Sequence, residues 1–252
     1  MNRFEGKTVF ITGAASGFGA LAATRFSSEG ANCVVVDLND DGARNIASNL
    51  PNATAITLDV VDAEAVADAF EQTVGRYGRV DVIFNNAGID DKPQALHETD
   101  DLNWQRVSRV NGDGAFNVLR AGIAAMLTNP DGGSIVNTVS IAALIGVKGI
   151  TPYTYAKAGI TGLTRSSAAE YAEHRIRINA VAPGSCVTPL LESFIAAQHD
   201  PVKFRKTLES NSPLPGFATA DSVVGTVMFL ASQDAASITG LTIPVDNGQT
   251  VV

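Results

Sequence analysis

From Thr8 to Gly19 the chain reads TVFITGAASGFG, an apolar run that passes directly into a glycine-rich turn. The run has the β-branched and aromatic composition of a buried strand, and a helical pattern begins at Phe18. Glycines allow a tight turn, and they let backbone N–H groups approach a phosphate at the start of a helix. The stretch therefore predicts the first strand, turn and helix of a dinucleotide-binding α/β fold.

The same alternation of apolar runs and helical patterns continues along the chain. Most runs are apolar throughout, which is typical of strands covered by helices on both faces. We predict an α/β fold: a Rossmann-type, doubly wound parallel sheet of about seven strands in a single domain of residues 1–252, with residues 185–218 as a substrate lid. The predicted strands are Thr8–Thr12, Asn32–Asp37, Ala53–Asp59, Val80–Asn85, Ser134–Val139, Arg177–Ala182 and Thr242–Val245. The predicted helices are Phe18–Ser28, Asp40–Asn49, Ala63–Gly75, Asp101–Leu127, Tyr153–Ala172 and Asp221–Ala231.

Composition argues against several classes of protein. No apolar run approaches the ~20 residues that a membrane helix needs, and the first residues lack the long apolar stretch of a signal peptide. The net charge of −8 and the absence of a basic stripe argue against a nucleic-acid surface. We therefore expect a cytoplasmic protein without nucleic-acid or membrane partners. Cys33 and Cys186 lack metal-ligand spacing with the histidines, so we expect free thiols and no metal.

The second predicted strand ends in Asp37, 24 residues after Gly13. A carboxylate at this position accepts hydrogen bonds from ribose hydroxyls and repels a 2′-phosphate, and neither Arg nor Lys is found among the neighbouring candidate positions. We therefore predict NAD(H) rather than NADP as the cofactor. The residues expected to bind it in this part of the chain are Gly13, Ser16, Gly17, Phe18, Gly19, Asp37 and Leu38.

Tyr153 and Lys157 stand four residues apart, so they share one face of a predicted helix. A tyrosine has an ordinary pKa of about 10, and a positive neighbour lowers that pKa. Ser140 follows a predicted buried strand 13 residues earlier. A pair of this spacing is by itself common on helix surfaces, but together with the dinucleotide site the three side chains indicate carbonyl or alcohol chemistry.

The motifs, in this order and spacing, resemble those of the short-chain dehydrogenase/reductase family, and the resemblance covers nearly the whole chain. They are Thr12-Gly13-x-x-x-Gly17-x-Gly19, Asn85-Asn86-Ala87-Gly88, Asn111, Ser140 and Tyr153-x-x-x-Lys157. The resemblance implies that Tyr153 transfers the substrate proton. It implies that Lys157 lowers the pKa of Tyr153 and binds the nicotinamide ribose, and that Ser140 hydrogen-bonds the carbonyl oxygen. Asn111 would hold a water in a proton relay.

The resemblance also implies further cofactor contacts and an assembly. Asp59 and Val60 would hold the adenine, and the remaining cofactor residues would be Asn86, Ala87, Gly88, Pro183, Gly184, Val187 and Thr188. A homotetramer would be built on the helices Asp101–Leu127 and Tyr153–Ala172.

We predict an NAD-dependent oxidoreductase that transfers a hydride between a small secondary alcohol or ketone and NAD(H), with Tyr153 as acid and base. The expected substrate pocket is mostly apolar, which suits alicyclic, aromatic or terpenoid substrates. It comprises Ser140, Ala142, Leu144, Val147, Ile150, Cys186, Leu190 and Phe194, with the polar Asp90, Asp91 and Gln94. One alternative is an NADPH-dependent ketoreductase of the 3-oxoacyl-carrier-protein type, which Asp37 opposes. The other is a non-catalytic NAD-binding sensor.

Overall fold

Seven parallel strands form the sheet, each close to the apolar run that predicts it. In this computed structural model, which describes residues 2–252, the strands are β1 (Thr8–Thr12), β2 (Asn32–Asp37), β3 (Ala53–Thr57), β4 (Val82–Asn85), β5 (Gly133–Thr138), β6 (Ile176–Pro183) and β7 (Thr242–Val245). Their order across the sheet is β3-β2-β1-β4-β5-β6-β7. The order reverses between β1 and β4, and a crevice forms at the carboxyl ends of strands where such a reversal occurs.

Helices cover both faces of the sheet. They are α1 (Gly17–Ser28), α2 (Asp40–Ser48), α3 (Ala63–Tyr77), α4 (Asp101–Val107), α5 (Ala115–Met126), α6 (Thr151–Tyr171), α7 (Pro189–Ala196), α8 (Pro201–Ser210) and α9 (Ala220–Ala231). In β1, Val9 and Ile11 belong to one hydrophobic core and Phe10 to the other, all fully buried. Alternate residues of a strand point to opposite faces, so a sheet covered on both sides needs apolar residues at every position. The predicted Rossmann-type fold is confirmed.

The prediction of one continuous helix over Asp101–Leu127 is wrong. The stretch Asp101–Leu127 consists of α4, a π-helical segment Ser108–Gly114 and α5. Gly114 packs against Val60, where an added Cβ would lie 2.6 Å from a valine methyl carbon. A π-helical turn contains an extra residue and is frequent at functional sites. Here it contains the fully buried Asn111.

A buried polar network attaches α6 and α5 to the sheet. The Asn85 amide donates to the Asn137 side-chain oxygen and to the Ala115 carbonyl, both at 2.9 Å. The Asn137 amide in turn donates to the Thr164 hydroxyl at 3.0 Å. Buried polar groups are costly unless they are hydrogen-bonded, so this network favours one position of α6 over β5.

The segment 185–218, predicted as an irregular lid, contains α7 and α8. These two helices pack on each other through Phe194 and Phe204, whose ring centroids are 5.7 Å apart. Within residues 2–252, no helix combines the length and the apolar character that a membrane span requires.

Candidate active site

A cleft of about 1120 Å³ opens at the carboxyl ends of the strands and extends below α7. It brings together most of the residues predicted for the cofactor. Those that line it are Gly13, Ser16, Gly17, Phe18, Asp37, Leu38, Asp59, Val60, Asn86, Ala87, Gly88, Pro183, Gly184 and Thr188. Two predicted cofactor residues lie outside the lining: Gly19 is buried against the Gly13 carbonyl, and Val187 is half-exposed.

The glycine-rich turn leaves room for an anion at the start of α1. Gly13 and Gly17 have positive φ values of 64° and 55°, and an added Cβ on Gly13 would lie 2.9 Å from the Ala87 Cα. Ser16 precedes the helix, and its side chain makes no capping hydrogen bond. A free hydroxyl beside helix N–H groups fits a phosphate of a dinucleotide.

The Asp37 carboxylate is fixed at the end of β2. One oxygen accepts a hydrogen bond from the Ala15 backbone N–H and the other from the Asn39 backbone N–H, both at 2.9 Å. The cationic residues that line the cleft are Lys148 and Lys157, and both belong to segments that flank Tyr153. The surroundings of Asp37 fit ribose hydroxyls better than an added phosphate.

Asn86 connects the ends of three strands. Its amide donates to the Thr12 carbonyl at 3.0 Å, and its side-chain oxygen accepts from the Thr138 hydroxyl at 3.1 Å. The Thr12 hydroxyl accepts from the backbone N–H groups of Asn86 and Ala87. Thr12 and Thr138 are not predictable from the sequence as site residues, because hydroxyls at strand ends have no motif that separates them from ordinary strand residues.

Tyr153, Lys157 and Ser140 meet at one end of the cleft. The Lys157 ammonium is buried, donates to the Thr138 carbonyl at 2.8 Å and lies 5.6 Å from the centroid of the Tyr153 ring. The Ser140 hydroxyl accepts a hydrogen bond from the Ala142 backbone N–H at 3.2 Å, and its effect on the phenol is to lower the pKa of Tyr153.

Asn111 lies behind the cleft wall rather than in it. Its side chain exchanges two hydrogen bonds with the backbone of Ile89, at 2.8 and 3.0 Å. An added Cβ on Gly88 would lie 3.0 Å from the Asn111 side-chain oxygen and 3.5 Å from the Lys157 nitrogen. Asn111 and Lys157 thus approach the same glycine.

The pKa of Tyr153 differs in direction from the sequence-based expectation. The pKa of Tyr153 is raised to about 12: burial raises it most, the hydrogen bond with the Ser140 hydroxyl lowers it, and the charge of Asp90 raises it. Burial also lowers the pKa of Lys157 to about 8. Removal of both groups from water disfavours their charged forms, and in this arrangement the lysine does not compensate for the desolvation of the phenol.

Asp91 lines the cleft, as predicted, but its carboxylate is engaged within the protein. Its carboxylate is buried and accepts hydrogen bonds from the Asn103 amide at 2.7 Å and from the Tyr153 backbone N–H at 3.0 Å. Ile150, which precedes α6, makes no capping hydrogen bond. Asp91 therefore caps the helix that carries Tyr153, and both of its oxygens are engaged within the protein.

The predicted substrate residues mostly converge beside Tyr153. Those that line the cleft are Ser140, Ala142, Val147, Ile150, Cys186, Leu190, Phe194, Asp90 and Asp91. Leu144 is half-exposed outside the lining, and Gln94 is turned away from it and donates its backbone N–H to the Gly149 carbonyl. Burial raises the pKa of the Cys186 thiol to about 11. Further lining residues that the sequence analysis missed are Ile145, Leu191, Leu208 and Gln249.

Comparison with known proteins identifies the family. A family model described as enoyl-(acyl carrier protein) reductase matches residues 13–250, which is nearly the whole chain. The chain belongs to the short-chain dehydrogenase/reductase family. Named relatives are dehydrogenases and reductases, so the predicted family and the general class, an oxidoreductase, are confirmed.

Relatives within the short-chain dehydrogenase/reductase family differ in their substrates. The chain is 37% identical over 250 residues to a 3-oxoacyl-(acyl-carrier-protein) reductase from Thermotoga maritima, covering 98% of each chain. It is 36% identical to a cyclohexanol dehydrogenase from an Acinetobacter species, covering 99% of this chain and 97% of the relative. A crystal structure of carveol dehydrogenase from Mycobacterium avium in complex with NAD superposes with a TM-score of 0.95 at 29% identity, covering 100% of both chains.

In this short-chain dehydrogenase/reductase, Asp90 is a half-buried acid in the cleft. Burial raises the pKa of Asp90 from 3.8 to about 6; the charge of Arg106 opposes this effect and the charge of Asp91 adds to it. The folded protein therefore binds the Asp90 proton more tightly than the unfolded chain does. The free energy of unfolding therefore falls as Asp90 ionises between about pH 4 and about pH 6, and it stays lowered at higher pH.

We expect Asp90→Asn to raise the melting temperature at pH 8 and to raise it less at pH 5. Because water screens the half-exposed carboxyl, the gain should be about 2–4 °C, which corresponds to about 1 kcal/mol in a chain of this size. Thermal unfolding of both proteins at pH 5, 6 and 8 measures it. Asp101→Asn, at an exposed acid in the first turn of α4, is the matched control. A gain independent of pH would contradict the assignment.

Proposed function

We propose that the protein is an NAD-dependent dehydrogenase or reductase that transfers a hydride between a secondary alcohol or ketone and NAD(H). The observation that carries this proposal is the convergence of Tyr153, Lys157 and Ser140 in the cleft that also contains the glycine-rich turn and Asp37. Bound NAD(H) supplies the carbon that accepts or donates the hydride. The phosphates would be held by the turn, and the adenosine ribose by Asp37 and Leu38. The adenine would contact Asp59 and Val60. The nicotinamide end would contact Asn86, Ala87, Gly88, Pro183, Gly184 and Thr188.

The proposed roles of the side chains follow from their contacts. The Tyr153 phenol donates the proton to a ketone oxygen or removes it from an alcohol, and the Ser140 hydroxyl hydrogen-bonds the same oxygen. The Lys157 ammonium, beside the phenol ring, favours the phenolate when the alcohol loses its proton. Asn111 orders the Gly88–Ile89 backbone next to Lys157, which supports a role in the path by which protons reach that lysine.

The proposed substrates are alcohols or ketones on an alicyclic, aromatic or terpenoid skeleton. The wall beside Tyr153 is apolar at Val147, Ile150, Leu190 and Phe194. A pocket of this kind selects apolar bulk. The names of the relatives that act on cyclohexanol and carveol support the same class. We propose that residues 185–218 close over this substrate, because α7 and α8 both contribute lining residues.

Oxidation of a panel of secondary alcohols with NAD, followed as NADH absorbance, tests the proposal. We expect turnover of cyclic alcohols, and we expect Tyr153→Phe to lower kcat by a factor of about 10²–10⁴ because it removes the proton-transfer group. The affinity for NADH should remain nearly unchanged. Tyr155→Phe is the matched control, since Tyr155 is exposed and has no lysine four residues later. Turnover of open-chain polyols alone would contradict the substrate class, and no turnover at all would favour a non-catalytic NAD-binding sensor.

We expect NAD to be preferred over NADP by at least about tenfold in kcat/KM, because the Asp37 carboxylate repels a 2′-phosphate. Asp37→Asn keeps the size and one acceptor oxygen, and it should reduce this ratio by about tenfold or more. Steady-state kinetics with both cofactors measures the ratio. Asp41→Asn, on the exposed face of α2, should leave it unchanged. A wild-type preference for NADP would refute the cofactor assignment.

A second candidate function is the reduction of 3-oxoacyl groups on an acyl carrier. The observation in its favour is the 37% identity to the Thermotoga maritima reductase. Efficient reduction of a 3-oxoacyl thioester with NADPH, together with inactivity toward cyclic alcohols, would favour it over the first proposal.

We also propose a homotetramer built on α4, α5 and α6. Large apolar side chains are exposed on these helices: Leu102 at 77%, Trp104 at 38%, Phe116 at 41% and Tyr155 at 60%. Surfaces of this kind often bind another chain. Light scattering should give four times the mass of the chain, and Phe116→Glu should reduce that mass. Val202→Glu changes an exposed valine of α8 and is the control. A monomeric wild type would refute the assembly.

A further inference from the structure

Two consecutive aspartates at the cleft have different surroundings. Both oxygens of Asp91 accept hydrogen bonds, from the Asn103 amide and from the Tyr153 backbone N–H. Asp91 therefore has no acceptor oxygen left without a partner. Its role is to position α6.

Asp90, the preceding residue, lines the cleft with its side chain half-buried. Among residues 2–252, no group donates a hydrogen bond to its carboxylate and none forms an ion pair with it. Arg106 is the nearest candidate, but its guanidinium donates to the Asp90 backbone carbonyl at 2.7 Å and to the Asn103 side-chain oxygen at 3.2 Å. The Asp90 carboxylate is thus an acceptor without a partner in the protein.

The position of Asp90 relates it to the substrate. Asp90 and Tyr153 line the same cleft, and the Tyr153 backbone N–H donates to the next residue, Asp91, at 3.0 Å, which places Asp90 at the reacting end. The charge of Asp90 also raises the pKa of the Tyr153 phenol. Most of the predicted substrate residues that line the cleft are apolar. A substrate that fills the cleft displaces the water that solvates a half-exposed carboxylate, and an ionised acid deprived of water without a new partner is strongly disfavoured.

We propose that Asp90 determines substrate specificity by accepting a hydrogen bond from a second hydroxyl group of the substrate. This inference rests on the proposed function and narrows it: the substrate is an alicyclic alcohol or hydroxyketone with a hydroxyl group besides the reacting oxygen. A hydroxyl brings the missing donor, whereas an unsubstituted ring leaves the carboxylate unpaired. A substrate carboxylate would meet like charge.

The test compares three kinds of ring under identical conditions with NAD. They are cyclohexanol, the 1,2-, 1,3- and 1,4-cyclohexanediols, and 4-hydroxycyclohexanecarboxylate. We expect at least one diol to exceed cyclohexanol at least tenfold in kcat/KM, mainly through a lower KM, and we expect the carboxylate to be the poorest substrate. In Asp90→Leu the ratio of diol to cyclohexanol should fall at least tenfold, and in Asp90→Asn, which keeps an acceptor oxygen, it should fall less.

Asp101→Asn should leave this ratio at its wild-type value, since that acid is exposed outside the cleft. Equal use of cyclohexanol and all diols by the wild type, or a diol preference that survives Asp90→Leu, would overturn the inference while the proposed function stands. If no alcohol is oxidised, the proposed function fails. Calorimetric titration of the same alcohols into the protein with NADH then decides the inference, because tighter binding of a diol that depends on Asp90 supports it and equal binding refutes it.

Discussion

The hydrogen bond from the Lys157 ammonium to the Thr138 carbonyl is the contact on which the site depends. A buried ammonium needs a partner, and the end of β5 supplies one where the strand gives way to Ser140. The bond holds α6 against β5, so Tyr153, one turn earlier on the same helix, is held beside Ser140. The Thr138 hydroxyl also binds Asn86, so the same residue connects the proton-transfer group to the loop after β4.

The fold was largely predictable because each element of it is visible locally. Strands covered on both faces read as continuous apolar runs, and three of the seven, at β1, β2 and β7, have the predicted bounds. The π-helical segment was not predictable, because one extra residue in a turn barely changes helical periodicity over a long stretch. Its last residue, Gly114, packs against Val60, which is 54 residues away in sequence and leaves no room for a side chain there.

The residues of the candidate site fall into two groups: those that a local sequence pattern indicates and those that no local pattern indicates. Glycines, Asp37 and the Tyr153–Lys157 spacing form local patterns, so the sequence can indicate them. Other side chains accept hydrogen bonds from backbone N–H groups that are distant in sequence, and they have no local pattern. Asp91 does so from Tyr153, and Thr12 does so from Asn86 and Ala87. The direction of the Tyr153 pKa shift belongs to this second group, because the lysine partner is evident from spacing while the extent of burial is set by the whole fold.

Asp90 and Asp91 illustrate why residue type alone does not determine chemistry. Asp91 accepts hydrogen bonds from two donors and sets the position of the catalytic helix, whereas the Asp90 carboxylate has no donor in the protein and raises the pKa of Tyr153. A substrate hydroxyl that bound Asp90 would spread part of that negative charge and so reduce its effect on the phenol. Recognition of the second hydroxyl and proton transfer at Tyr153 would then be coupled through one carboxylate. A substrate with a second hydroxyl would thereby lower the pKa of Tyr153, the residue that removes the proton from the reacting hydroxyl.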